Sequence, residues 1–172
     1  PATDQNGASQ ITLEKTQEVV YLKEISVPTG YQIDTKSYNV TLNIGKTTIK
    51  NVTDKRVNAR ISLAKQDAET GNEAQGDATL KGAVYGLYAR EDIVHPDGRT
   101  GVLYKKDTLI TSLTTDKNGE ADVTDLYLGK YYVKELTAPV GYVLDETEHE
   151  VDCSYEGATV PTVERTAVCK ET

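Results

Sequence analysis

Few side chains in this 172-residue sequence carry reactive chemistry: two cysteines, two histidines, and lysines and carboxylates set at strand-like spacing. In the run Ile61-Ser62-Leu63-Ala64-Lys65, Leu63 and Lys65 are two residues apart and share the apolar face of a strand. An amine on that face enters the core, where an isolated ammonium is too costly to persist and calls for a carboxylate partner. Burial lowers the pKa of an amine and raises that of a carboxylic acid, so an apolar core can hold a neutral amine beside a protonated acid. Such a pair can attack and polarise a carbonyl. Cys153 and Cys169 flank a reversal at Glu156-Gly157 on the last two expected strands. A disulfide between them would close a loop of about 15 residues and contribute roughly 3 kcal/mol in the chain-entropy view; the alternative is two buried thiols. His95 and His149 have no Ser or Cys partner in a hydrolase pattern. Asp116-Lys117-Asn118-Gly119-Glu120-Ala121-Asp122 lacks the sixth-position Gly and flanking helices of a calcium-binding EF-hand, and reads as a turn. With no cofactor fingerprint, metal cluster or nucleophile–base pair, the expectation is a non-enzymatic chain without a cofactor.

The elements that must position these groups are short strands. An internal repeat organises them: Val20-Tyr21-Leu22-Lys23-Glu24-Ile25-Ser26-Val27-Pro28-Thr29-Gly30-Tyr31 matches Tyr131-Tyr132-Val133-Lys134-Glu135-Leu136-Thr137-Ala138-Pro139-Val140-Gly141-Tyr142. The match extends upstream, Thr3 to Gly7 against Thr115 to Gly119, and downstream, Ile33-Asp34 against Leu144-Asp145. Between the copies, Ile61 to Lys65, Ala83 to Tyr88 and Leu109 to Leu113 alternate as strands. Thr70-Gly71-Asn72, His95-Pro96-Asp97-Gly98 and Asp116-Lys117-Asn118-Gly119 supply reversals. The pattern predicts an all-β chain of tandem antiparallel sandwiches. Residues 1–56 read as the C-terminal half of a first module and 57–172 as a complete second module, because only the second copy is preceded by a full set of strands.

Composition narrows the function classes. A formal net charge of -8 argues against a nucleic-acid or anionic-membrane partner. Every aromatic residue is one of 11 tyrosines, which suit half-buried strands. No stretch approaches the roughly 18 apolar residues of a membrane span, and no signal-peptide core precedes Pro1, as expected of a mature segment or a fragment.

The pattern Tyr-x-x-Lys-Glu-x-x-Ala-Pro-x-Gly-Tyr at 131–142 resembles the E-box of Gram-positive pilins and of Cna B-type (SpaA-like) surface domains. The opening strand Leu63 to Gly71, the segment Leu80-Lys81-Gly82-Ala83-Val84-Tyr85-Gly86-Leu87-Tyr88 and the turn at Thr115 to Gly119 add to the resemblance, in the same order. It implies Ig-like, prealbumin-like sandwiches in which a Lys on the first strand condenses with an Asn or Asp on the last, assisted by the E-box Glu. By position Lys65 and Glu135 take the Lys and Glu roles in the second module, and Glu24 and Asp54 the Glu and acceptor roles in the first. Aligning Asp54-Lys55-Arg56 with Cys169-Lys170-Glu171 places Cys169 at the second acceptor position. The resemblance further implies an extracellular, wall-anchored surface protein whose anchor lies outside these residues, with neighbouring modules of the same protein as partners. Two functions fit: a stalk or shaft module stiffened by isopeptide or disulfide crosslinks, and a module binding a host extracellular ligand through Ala89 to Thr100.

Overall fold

The computed structural model describes residues 1–14 and 18–171. Their thirteen strands include no helix, as the all-β expectation required. The chain divides into two compact units. The first comprises Pro1–Ser26 and Asp34–Asp54, and the second Val27–Ile33 and Lys55–Thr172. This differs from a single cut after residue 56, because the turn segment Val27–Ile33 packs with the second unit.

The first unit is built on one antiparallel pair, β1 (Val19–Lys23) against β3 (Ser37–Thr41), with Val20 opposite Val40 and Leu22 opposite Tyr38. The intervening β2 (Tyr31–Gln32) pairs instead with β4 (Lys55–Arg56) in the second unit.

Two sheets form the second unit. One joins β5 (Asn58–Asp67), β10 (Glu120–Leu126) and β13 (Thr162–Glu171) in the order β10-β5-β13. The other runs β12-β11-β6-β9, from β6 (Val84–Ala89), β9 (Leu109–Thr114), β11 (Gly129–Thr137) and β12 (His149–Cys153). A ribbon of β7 (Ile93–Val94) and β8 (Val102–Tyr104) lies between β6 and β9 in sequence. Alternation fixes which residues face inward: Ala59, Ile61 and Leu63 of β5, Tyr85, Leu87 and Ala89 of β6, and Tyr131 and Val133 of β11 meet in one core. Among the described residues all strand pairings are antiparallel except one. The first and last strands of the unit, β5 and β13, run parallel over ten residues each, with Lys65 opposite Cys169 and Asp67 opposite Glu171. The antiparallel sandwich expected from the sequence is present, with this one parallel pair joining its first and last strands.

The expected reversals are present. At Asp116 to Gly119 the Asp116 carboxylate accepts the Asn118 and Glu120 amides at 2.8 and 3.0 Å, and Gly119 takes φ +79°. This is an Asx-type turn joining β9 to β10, the reversal expected there from the sequence. Among the described residues no group of three or more His, Cys, Asp or Glu side chains is placed to hold a metal ion.

Candidate functional site

The alternation of β5 ends on two charged residues that follow the core inward: Lys65 is 1% exposed and Asp67 6%. The Lys65 backbone is held by its amide donating to Gly119 O at 2.8 Å. Its Nζ lies 3.6 Å from Glu135 Oε1 on β11, directly contacts Glu171 Oε2 on β13, and sits 4.6 Å from the centre of the Tyr142 ring. Glu135 is 1% exposed and Glu171 3%, so one amine and two carboxylates share a dry space. Lys65 Nζ, Glu135 Oε1 and Glu171 Oε2 have no hydrogen-bond partner outside this cluster. Burial pulls the Lys65 pKa below its ordinary value, and the Glu135 carboxylate opposes that pull.

Each carboxylate is oriented by its outer oxygen. Glu135 Oε2 accepts the Asp145 amide at 3.1 Å, and Glu171 Oε1 accepts the Tyr85 hydroxyl. Tyr142 is placed by a type II turn: its amide donates to Pro139 O at 3.2 Å, and Gly141 adopts φ +91°, a conformation that favours glycine. A Cβ at Gly141 would also stand 2.5 Å from that of Ala78. The Tyr142 hydroxyl donates to Asp67 Oδ2 at 3.0 Å, while Asp67 Oδ1 accepts the amides of Glu69 and Thr70 at 2.8 and 2.9 Å. Those backbone donors hold the Asp67 carboxyl well below the usual carboxylate range.

The first unit repeats part of this arrangement. Glu24 Oε2 accepts the Asp34 amide at 2.7 Å, as Glu135 accepts that of Asp145. The Tyr38 hydroxyl donates to Asp34, and desolvation followed by the neighbouring Glu24 carboxylate raises the Asp54 pKa. Among the described residues no lysine or arginine lies within ion-pair distance of Glu24 or Asp54.

Two sequence-based assignments change. Cys153 and Cys169 are both buried and free, so the expected disulfide is absent and the buried-thiol alternative holds. Cys153 lies near Arg165 and Tyr131, whereas Cys169 lies near Lys65 and Tyr85. The residue meeting Lys65 on the last strand is Glu171, two positions beyond Cys169 on the same inward face. Period two along Ala167, Cys169 and Glu171 was the available signal for it. Tyr85 and Tyr142 were likewise legible only as strand and motif residues.

The sequence profile of the SpaA prealbumin-like fold domain matches residues 59–166, which contain Lys65, Glu135 and most of both sheets. This chain belongs to that family. Among curated proteins, the trypsin-resistant surface T6 protein of Streptococcus pyogenes serotype M6 is 44% identical over 62 residues, or 36% of this chain and 12% of that protein. Among solved structures, the Bacillus anthracis TIE protein superposes with a TM-score of 0.62 at 23% identity, over 90% of this chain and 25% of that one. The Corynebacterium diphtheriae major pilin SpaA, described as a modular pilus assembly with stabilizing isopeptide bonds, superposes with a TM-score of 0.51 at 14% identity, over 84% of this chain and 40% of that one. At these identities the two structural matches establish the fold. This SpaA-family chain thus spans well under half the length of each of these relatives.

Proposed function

We propose that this chain is a structural stalk or shaft segment of a pilus or adhesin on the outer surface of a Gram-positive cell, in series with neighbouring modules, and that its second module is closed by an amide bond between Lys65 and Glu171. The observation that carries the reading is the dry contact of Lys65 Nζ with Glu171 Oε2, with Glu135 Oε1 3.6 Å away. Groups fixed in near-attack geometry gain effective molarities on the order of 10⁵ M or more, and a bond that forms once needs no turnover. In the first module, Glu24 and Asp54 take the corresponding assisting and acceptor roles toward a lysine on a completing strand.

The position of the bond suits a mechanical role. Lys65 and Glu171 lie on the first and last strands of the module, so tension entering β5 would cross the amide and leave after β13. Residues 66–170 would carry none of it. About 105 residues at roughly 3.5 Å each are then withheld from extension, on the order of 370 Å per module.

Intact mass under denaturing conditions tests the reading. The expected result is a deficit of one water, about 18 Da, that survives reduction and maps to a Lys65–Glu171 fragment pair. A mass equal to that of the sequence would reduce the site to a buried ion pair and remove the covalent part of the proposal.

A further inference from the structure

We infer that Tyr85 is a catalytic residue of amide formation at this site, its hydroxyl stabilising the oxyanion that develops on Glu171 Oε1 as Lys65 attacks. The inference rests on the Lys65–Glu171 reading above and goes beyond it by assigning separate roles to the two oxygens of Glu171. Lys65 Nζ contacts Oε2, and the Tyr85 hydroxyl donates to Oε1. The carboxyl is thus addressed from two sides: the amine, with Glu135 Oε1 3.6 Å from its nitrogen, at one oxygen, and a phenol at the other.

The step balances within the cluster. The Lys65 ammonium passes one proton to Glu171 Oε2, leaving a neutral amine against a neutral acid. The amine lone pair attacks Cδ, the C=Oε1 electron pair moves onto Oε1, and the Tyr85 hydrogen bond shortens onto that developing charge. The nitrogen, now carrying two protons and a positive charge, gives one to the Glu135 carboxylate, which hands it to the Oε2 hydroxyl. Oε2 leaves as water, the carbonyl reforms on Oε1, and the amide nitrogen keeps one proton. No outside reactant is needed, and Glu135 ends as it began.

Three features of Tyr85 fit it to this task. It is 1% exposed, so its hydroxyl competes with no solvent for Oε1. Burial raises its pKa, so it remains a protonated donor throughout the physiological range. Its backbone is fixed by β6, where it pairs with Glu135 on one side and Leu113 on the other, so the phenol and the proton carrier are neighbours in one sheet. Tyr142 reaches the same lysine differently: its ring faces Nζ and its hydroxyl is engaged by Asp67, so it has no access to the developing oxyanion.

The test compares the full-length chain with Tyr85→Phe, which removes one hydroxyl and keeps the ring. The readout is the fraction lacking one water, followed by intact mass from the moment of refolding. Tyr131→Phe is the control: it removes an equally buried hydroxyl, which donates to Tyr127 O and lies away from Lys65. Expected are water loss in the wild type and in Tyr131→Phe, and a rate about 100-fold lower or less in Tyr85→Phe at unchanged circular dichroism. If Tyr85→Phe condenses at the wild-type rate, the role of Tyr85 is overturned while the Lys65–Glu171 bond stands. If the wild type itself retains its full mass, both are overturned. Should Tyr85→Phe fail to fold, 3-fluorotyrosine placed at position 85, a stronger donor of the same shape, should raise the rate of water loss; an unchanged rate would overturn the role as well.

Discussion

Replacing the Lys65–Glu171 pair by apolar residues separates a covalent tie from an ion pair. In Lys65→Met/Glu171→Leu, made in a Glu135→Gln background so that no buried carboxylate is left without its cation, the side chains keep their approximate volumes and the charges disappear together. A buried ion pair treated this way leaves stability about unchanged or raises it by up to about 4 kcal/mol, because desolvation of the charges consumes their mutual attraction. A covalent tie gives the opposite sign. Joining residues 65 and 171 closes a loop of just over about 100 residues, and the chain-entropy estimate for such a loop is about 4.7 kcal/mol. Each kcal/mol moves the midpoint of a domain of this size by about 2–4 °C, so the double variant should melt at least about 10 °C below the wild type. Differential scanning calorimetry at pH 7, with intact mass on the same samples, is the assay. A double variant that melts at or above the wild type would refute the crosslink as a source of stability. The single variant Lys65→Met should fare worse than the double, because it leaves Glu135 and Glu171 facing each other without a cation. Removing one member of a buried pair costs about 3–5 kcal/mol.

Two further outcomes follow from the same site and its surroundings. The Asp67 carboxyl has a depressed folded-state pKa, so its contribution is fully present above the unfolded value of 3.8 and is lost as pH falls below that value toward the folded one. Asp67→Asn should therefore flatten the decline of the melting temperature below about pH 4, and an unchanged acid limb would show that the Glu69 and Thr70 amides do not support the carboxylate. The Cys153 and Cys169 thiols are buried, and burial pushes their pKa values up to about 11 and about 12. Iodoacetamide should leave both unmodified in the native protein and label both in denaturant without prior reduction; a mass gain of about 2 Da on reduction would instead reveal the disulfide.

Much of this arrangement was legible in the residues. Alternation in Ile61 to Lys65 placed the amine on the core face, and Lys65 is 1% exposed. The repeat placed Glu135 and Glu24 at equivalent positions, and both accept an amide ten residues downstream. The glycines at 30 and 141 stand where the turn demands a positive φ. These are local properties, set by period two, turn chemistry and the side chains of a few adjacent residues. What the tertiary structure decided was register between distant strands. The sequence aligned Cys169 with the acceptor position, and the parallel pairing of β5 with β13 does set Cys169 opposite Lys65, yet the lysine side chain reaches along the face to Glu171, two residues further on. The packed sheets also brought the Tyr85 hydroxyl to the free oxygen of Glu171. Pairing between strands about 100 residues apart depends on how two whole faces fit, and a slip of two residues keeps every side chain on its face while exchanging one partner for the next. Alternation alone therefore fixes which residues enter the core, and only the packed sheets choose which of them touch.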